Sequence, residues 1–186
     1  MSAIVLAAIR TALTDFLPSR MDTPAARLMM LAIQKQEDPE ERRYQVVKRT
    51  PQTRTENIVG DRTAKGPARS LWQFEERGGV QGVLTHKSTA EYIHGICDHF
   101  DVIPDSNNCW RAIEENDVLA ACFARLLLWS DFGALPKVGD AEGAFDMYLK
   151  NWHPGAFTNG TDAQQAALEQ KFIRNYAAAR KELNIQ

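Results

Sequence analysis

Apolar positions recur at helical spacing over most of the chain and alternate strand-like only briefly. Ile4, Val5, Ala8, Ile9 and Leu13 predict a first helix over residues 2–16 that ends before Pro18. Thr23 followed by Pro24 reads as an N-cap with proline at the first helical position, and AARLMMLAIQKQE behind it predicts a second helix. Leu28, Met29, Leu31 and Ala32 share its buried side. Pro39 disfavours helical backbone at Asp38, so Glu37 falls on the last turn.

From Glu41 to Arg69 the helical pattern fades. RYQVV alternates enough for a short strand, but the rest is rich in Lys, Arg and Thr with few apolar anchors. The expectation is an extended, partly mobile segment with at most one small hairpin. The stretch GPARSLWQFEERGGVQGVL, residues 66–84, then sets Trp72 and Phe74 among polar residues. It reaches Gly78-Gly79, where positive φ is accessible, and reads as a bent strap that presents side chains near a site.

Helical spacing returns from Ser88, a candidate N-cap, to His99, followed by a loop over residues 100–109. Trp110 to Ser130 predicts the strongest helix. Its VLAACFARLLLW run is apolar nearly all round, which belongs in the middle of a bundle. Gly133 and Pro136 stop it. A shorter helix over Ala141 to Trp152 turns Phe145, Tyr148 and Leu149 inward and closes at His153-Pro154-Gly155; a final amphipathic helix runs from Asp162, its N-cap, to Leu183. The pattern predicts a mainly α (α+β) single domain over residues 1–186, a helical bundle around one buried central helix with a small irregular or β-like lobe.

Composition narrows the function classes. A chain of 186 residues that is 44% apolar and 25% charged can bury a proper core without staples and is not disordered overall. Its net charge of -2 gives no general electrostatic reason to bind nucleic acid. Cys97, Cys109 and Cys122, three thiols at no framework spacing, read as reduced cysteines of a protein made in a reducing compartment. The opening MSAIVLAAIRTALTDFL lacks a basic n-region and a cleavage site, and no stretch approaches the length of a membrane span. His86, His94, Cys97 and His99 lack paired CxxC or HExxH spacing, so no metal is expected; without a phosphate-cradling glycine loop, neither is a cofactor.

RLMMLAIQKQE, then RRYQVV, then GPARSLWQFE together resemble the lysozyme-like lytic transglycosylase superfamily, in the divergent form found in bacteriophage and prophage proteins. VLAACFARLLLWSDFGALP and YLKNWHPGAF extend the resemblance over about residues 24–178. It implies a lysozyme-like bundle with one helix-terminal catalytic acid, here Glu37, facing a groove for the peptidoglycan glycan strand. It also implies that Leu71, Trp72 and Gln73 line that groove, and that Tyr176 belongs to the closing helices. In that family the substrate's own N-acetyl group stabilises the oxocarbenium-like centre, the Glu acts first as acid and then as base, and the product is an anhydro-sugar. The chain departs from the family where a Ser commonly follows the Glu; here Asp38-Pro39-Glu40-Glu41 follows.

Each candidate also has a plainer reading. Glu37 can be one carboxylate of a solvated acidic helix end paired with Arg42 and Arg43. Gln73 can hold a substrate acetamido group or a loop backbone. Trp72 can stack on a sugar or anchor the strap, Phe74 is expected in the core, and Tyr176 can reach the acid or pack with a wetted hydroxyl. The basic run from Lys48 to Arg69 can be a solvated loop or can dock on neighbouring virion proteins. That gives a second reading: a non-enzymatic virion component, tail or ejected, on a degenerate lysozyme-like fold. In either case the expectation is synthesis in the bacterial cytoplasm without a signal peptide, followed by action at the cell wall or residence in the phage particle.

Overall fold

The computed structural model describes residues 3–48, 58–60 and 63–185, with 58–60 as backbone alone. The parts of the basic run at 49–57 and 61–62 lie outside the described residues. Helix α1 (Ala3–Thr11) passes into a wider turn over Ala12–Phe16. Helix α2 (Pro24–Glu37) is capped as its sequence requires: the Thr23 hydroxyl accepts from Ala26 N at 3.1 Å.

The basic segment holds more regular structure than one hairpin. Strand β1 (Tyr44–Lys48) pairs antiparallel with β3 (Thr63–Arg69), which also pairs with β2 (Ile58–Gly60) and, at its far end, with β4 (Phe74–Glu75). Apolar anchors are scarce, as the sequence indicates, and charge takes their place. Glu114, on α5 (Ser106–Glu115), forms ion pairs with Lys65 and, at 2.6 Å, with Arg69. Trp110 of the same helix donates to Pro67 O at 2.8 Å, and the Arg69 guanidinium lies 4.2 Å from its ring centroid. Arg43 grips Asp117 through two bonds of 2.8 and 2.7 Å.

The strap's positive φ falls on residues other than its glycines, although the chain also kinks at Gly78. Ser70 and Gln73 take φ of 71° and 53°, whereas Gly78 sits at φ -98° and ψ -110°. Gly79 is needed for space instead, since a Cβ there would run into the Phe74 ring. A short helix α3 (Gln81–Thr85) follows, then α4 (Ala90–His99). Thr89 rather than Ser88 occupies the N-cap position of α4, and its hydroxyl donates to Val83 O at 2.6 Å.

The expected helix over 110–130 is two helices. Asp105 caps α5 by accepting from Asn108 N at 2.8 Å, so α5 begins inside the expected loop; Asn116 breaks the run and caps α6 (Asp117–Ser130) by accepting from Leu119 N at 2.9 Å. A side chain that can cap ends one helix and starts another where apolar spacing alone reads straight through. Helix α6 buries Leu119 through Leu126 on every side, which makes it the centre of the bundle. Helix α7 (Ala141–Trp152) ends at His153, which adopts left-handed backbone with φ 45°; the one-turn α8 (Gly155–Thr158) leads to α9 (Asp162–Glu182). Thr161, not Asp162, is the N-cap of α9 and forms a capping box with Gln164. The architecture is mainly α (α+β), with helices enclosing α6 and a small antiparallel sheet to one side.

Candidate active site

Helix α9 packs along α2 and supplies partners for its unpaired last-turn carbonyls. Lys171 Nζ donates to Gln36 O at 2.8 Å, and Asn175 Nδ2 donates to Lys35 O at 3.2 Å and to Gln36 Oε1 at 2.9 Å. The helix end is thereby fixed, and Glu37 with it. The acidic residues that follow separate rather than converge. Asp38 turns away and accepts from Arg42 N at 3.1 Å and Arg43 N at 2.7 Å, while Glu40 pairs with Arg42.

Glu37 is thus set apart in the lining of a cleft of about 670 Å³, together with Gln73, Phe74, Tyr148, Asn151, Trp152 and Lys171. Tyr148 Oη donates to Glu37 Oε1 at 2.5 Å. Its ring belongs to an aromatic cluster: Phe172 stacks on it at 4.9 Å, Trp152 lies 6.5 Å away, and Phe74 is 5.8 Å from Trp152. Trp152 Nε1 donates to Trp72 O at 2.9 Å, which ties the end of α7 to the strap. Glu37 keeps some contact with the cleft, yet protein atoms crowd its carboxyl.

Burial is therefore the leading influence on that carboxyl, and it pushes the pKa from 4.5 up to about 6. The Tyr148 hydrogen bond and the Lys171 charge act the other way, and the neighbouring Asp38 adds to the rise. Its place at the negative end of the α2 dipole also opposes ionisation. Burial, followed by the nearby Glu37 charge, raises the Tyr148 pKa far above its usual range, so its hydroxyl stays a donor. The arrangement can hold a proton near neutral pH and release it into a cleft. Glu75, another carboxylate in the lining, is exposed.

The structure brings together two of the four site residues expected from sequence. Glu37 and Gln73 line the same cleft, with Gln73 Nε2 donating to Ser70 O at 2.8 Å. Trp72 does not line it. It is 0% exposed and its indole donates to Met30 O at 2.8 Å, so it anchors the strap to α2. The reason is the strap's curl: with positive φ at Ser70 and Gln73, residues 71 and 72 are folded down into the core. Phe74 is buried, as its apolar character indicates, with one edge on the cleft. Tyr176 is likewise removed from the acid. It is buried under α9, where its hydroxyl accepts from Gly139 N at 3.1 Å and donates to Lys137 O at 3.4 Å. Tyr148 instead holds the place beside the acid that was expected of Tyr176.

Sequence reasoning places Tyr148 in the core and overlooks Asn151, Trp152 and Lys171. The available signal was the i, i+4 pair Tyr148/Trp152, two amphipathic aromatics at the end of a helix. Nothing local links that pair to a carboxylate 111 positions earlier. Among the described residues there is no cluster of three or more His, Cys, Asp or Glu that could hold a metal ion, and no helix long and apolar enough to cross a membrane. Cys97 and Cys109 are buried thiols with sulfurs 3.5 Å apart. Comparison with known proteins adds no relative: no family model, curated protein or solved structure matches the chain.

Proposed function

We propose that the protein is a phage-type lytic transglycosylase on a lysozyme-like fold, cleaving the peptidoglycan glycan strand with Glu37 as its single acid/base. The observation that carries this reading is the Glu37 carboxyl itself, half-buried at a helix end, fixed by Tyr148 and open to a cleft of a size that suits sugar rings. A group with a pKa of about 6 is still about a tenth protonated at pH 7 and mostly protonated at pH 5. It can therefore give its proton to the glycosidic oxygen as the C–O bond breaks.

The carboxylate left behind then takes the proton of the sugar's own hydroxyl as that oxygen closes on the anomeric carbon. The proton is returned to Glu37, and the product end is an anhydro-sugar. Gln73 presents an amide at the cleft wall, the kind of group that pairs with an acetamido substituent. The scheme assigns every proton transfer to Glu37 and gives no step to Glu75. The site of action is the cell wall, reached from a phage particle or during lysis.

The test is zymography on purified peptidoglycan with wild type and Glu37→Gln in parallel, coupled to mass analysis of the products. Clearing by the wild type alone, with fragments lighter by one water than hydrolytic products, supports the reading. Hydrolytic fragments would replace the transglycosylase with a hydrolase, and no clearing by folded wild type would favour the virion-component alternative.

A further inference from the structure

Four large hydrophobic residues are exposed among the described ones: Ile4, Val46, Ile103 and Phe132. A single exposed aliphatic residue is ordinary on a protein surface. Phe132 differs in being aromatic, 87% exposed and held on a pinned loop. The residue before it, Asp131, has a side chain only 2% exposed that accepts from Lys150 at 2.7 Å, Asn151 at 3.2 Å and Gly133 N at 3.0 Å. Those three bonds fix the turn that carries the ring outward.

Each flank of that turn connects to a cleft residue. Asn151, held by Asp131, lines the Glu37 cleft. On the other flank His86 meets Phe132 edge-on at 6.2 Å, and His86 N donates at 3.0 Å to the carbonyl of Gly82, which also lines the cleft. Gly82 adds no side chain between the two, and even a Cβ there would meet nothing within 4 Å. Lys87 Nζ stands 5.7 Å from the Phe132 ring centroid. The Gly82 backbone thus links the cleft lining to the contact between His86 and Phe132.

We propose that Phe132 is the platform of a distal saccharide subsite, on which a sugar several units from the bond at Glu37 lays its apolar face. The inference rests on the reading of the cleft as a glycan site. A polymer that leaves the cleft over Gly82 meets an exposed aromatic ring on a turn already fixed, so holding the turn costs nothing further on binding. A sugar face offers a row of C–H groups to the ring and hydroxyls to His86 and Lys87. The platform acts on binding alone and does not touch the reacting atoms.

Phe132→Ala, Phe132→Trp and, as a control at a hydrophobic residue not among those lining the cleft, Ile103→Ala test this by co-sedimentation with insoluble peptidoglycan in a Glu37→Gln background. KM and kcat are measured in parallel on long glycan strands and on short oligosaccharides in the otherwise wild-type protein. The expected result is a three- to tenfold weaker association for Phe132→Ala, of the order an aromatic contact contributes. Long-strand KM should rise by a similar factor at unchanged kcat, with no change on short oligosaccharides. Phe132→Trp should restore binding and Ile103→Ala should leave it untouched. Unaltered binding and KM in Phe132→Ala overturn the platform while leaving the Glu37 reading intact. Phe132-dependent binding without cleavage overturns the enzyme and keeps the platform; a wild type that neither binds nor cleaves overturns both. A change of oligomeric state in Phe132→Ala, read by sedimentation velocity, also overturns it by assigning the ring to self-association.

Discussion

The two ends of α2 both bury charge, and they treat it in opposite ways. At the N-terminal end Arg125, 2% exposed, donates from Nε to Met21 O at 2.8 Å and lies 5.2 Å from the Trp129 ring. Its pKa is pulled down to about 10 by burial, against which the Asp22 charge works. Asp22 is itself held by Arg27 through bonds of 2.6 and 2.7 Å. At the C-terminal end Glu37 has a hydroxyl, a more distant Lys171 charge and a cleft. Buried charge locked among neighbours works as structure, whereas buried charge with an open side is available for chemistry. One end of α2 therefore abuts a knot centred on Arg125 of α6, and the other carries a reactive group.

The largest effect that would break this contrast is on catalysis at the open end. Glu37→Gln should lower the rate on peptidoglycan by about a hundred- to ten-thousandfold, the scale of a lost general acid, as read by soluble fragment release. Its stability should move the other way. Because the folded pKa of about 6 lies above 4.5, the contribution of this carboxyl is greatest below pH 4.5 and is lost as pH rises through 6. A shift of that size is worth about 2 kcal/mol at most, less for a group in contact with a wet cleft. Urea melts at pH 8 should accordingly find Glu37→Gln at least as stable as wild type. A mutant less stable by several kcal/mol would place Glu37 with Arg125 as a structural group.

At the closed end, Arg125→Ala should cost about 3 kcal/mol of stability through the cavity and the stranded Met21 carbonyl. Activity per folded molecule should be retained, which a urea titration and a specific-activity assay check together. Loss of activity in a folded Arg125→Ala would mean the two ends are not independent.

A smaller effect sharpens the open end. Tyr148→Phe removes the hydrogen bond that favours the carboxylate, so the Glu37 pKa should rise further and the alkaline limb of the pH–rate profile, expected near the Glu37 pKa of about 6 in wild type, should move up. Loss of the bond that orients the carboxyl should lower kcat by about tenfold. An unmoved limb would show that Tyr148 packs without tuning. Smallest of all, Tyr176→Phe should cost about 1 kcal/mol and leave the pH profile unchanged, since its hydroxyl serves Gly139 and Lys137.

Those two tyrosines mark the limit of what the chain reveals in one dimension. Both sit on amphipathic helices after the central one, and nothing in their local spacing says which of them meets Glu37. The same holds for Trp72 and Trp152: the strap's tryptophan looks presented, while the one that reaches the cleft sits on the last turn of α7. Asn116 taught a further lesson, since a capping residue inside an apolar run divides a helix that periodicity joins.

Local rules alone determined that α2 starts at Pro24, behind the Thr23 cap, and stops at Glu37, because a hydroxyl cap and two prolines act over a few bonds. The burial of α6 was equally legible, because a helix without a polar face has to be surrounded. Only the tertiary structure decided that Glu37 would be separated from its acidic neighbours, crowded by an aromatic cluster from α7 and α9, and left open on one side. Desolvation depends on every atom within several ångströms, and those atoms come from segments more than a hundred residues apart.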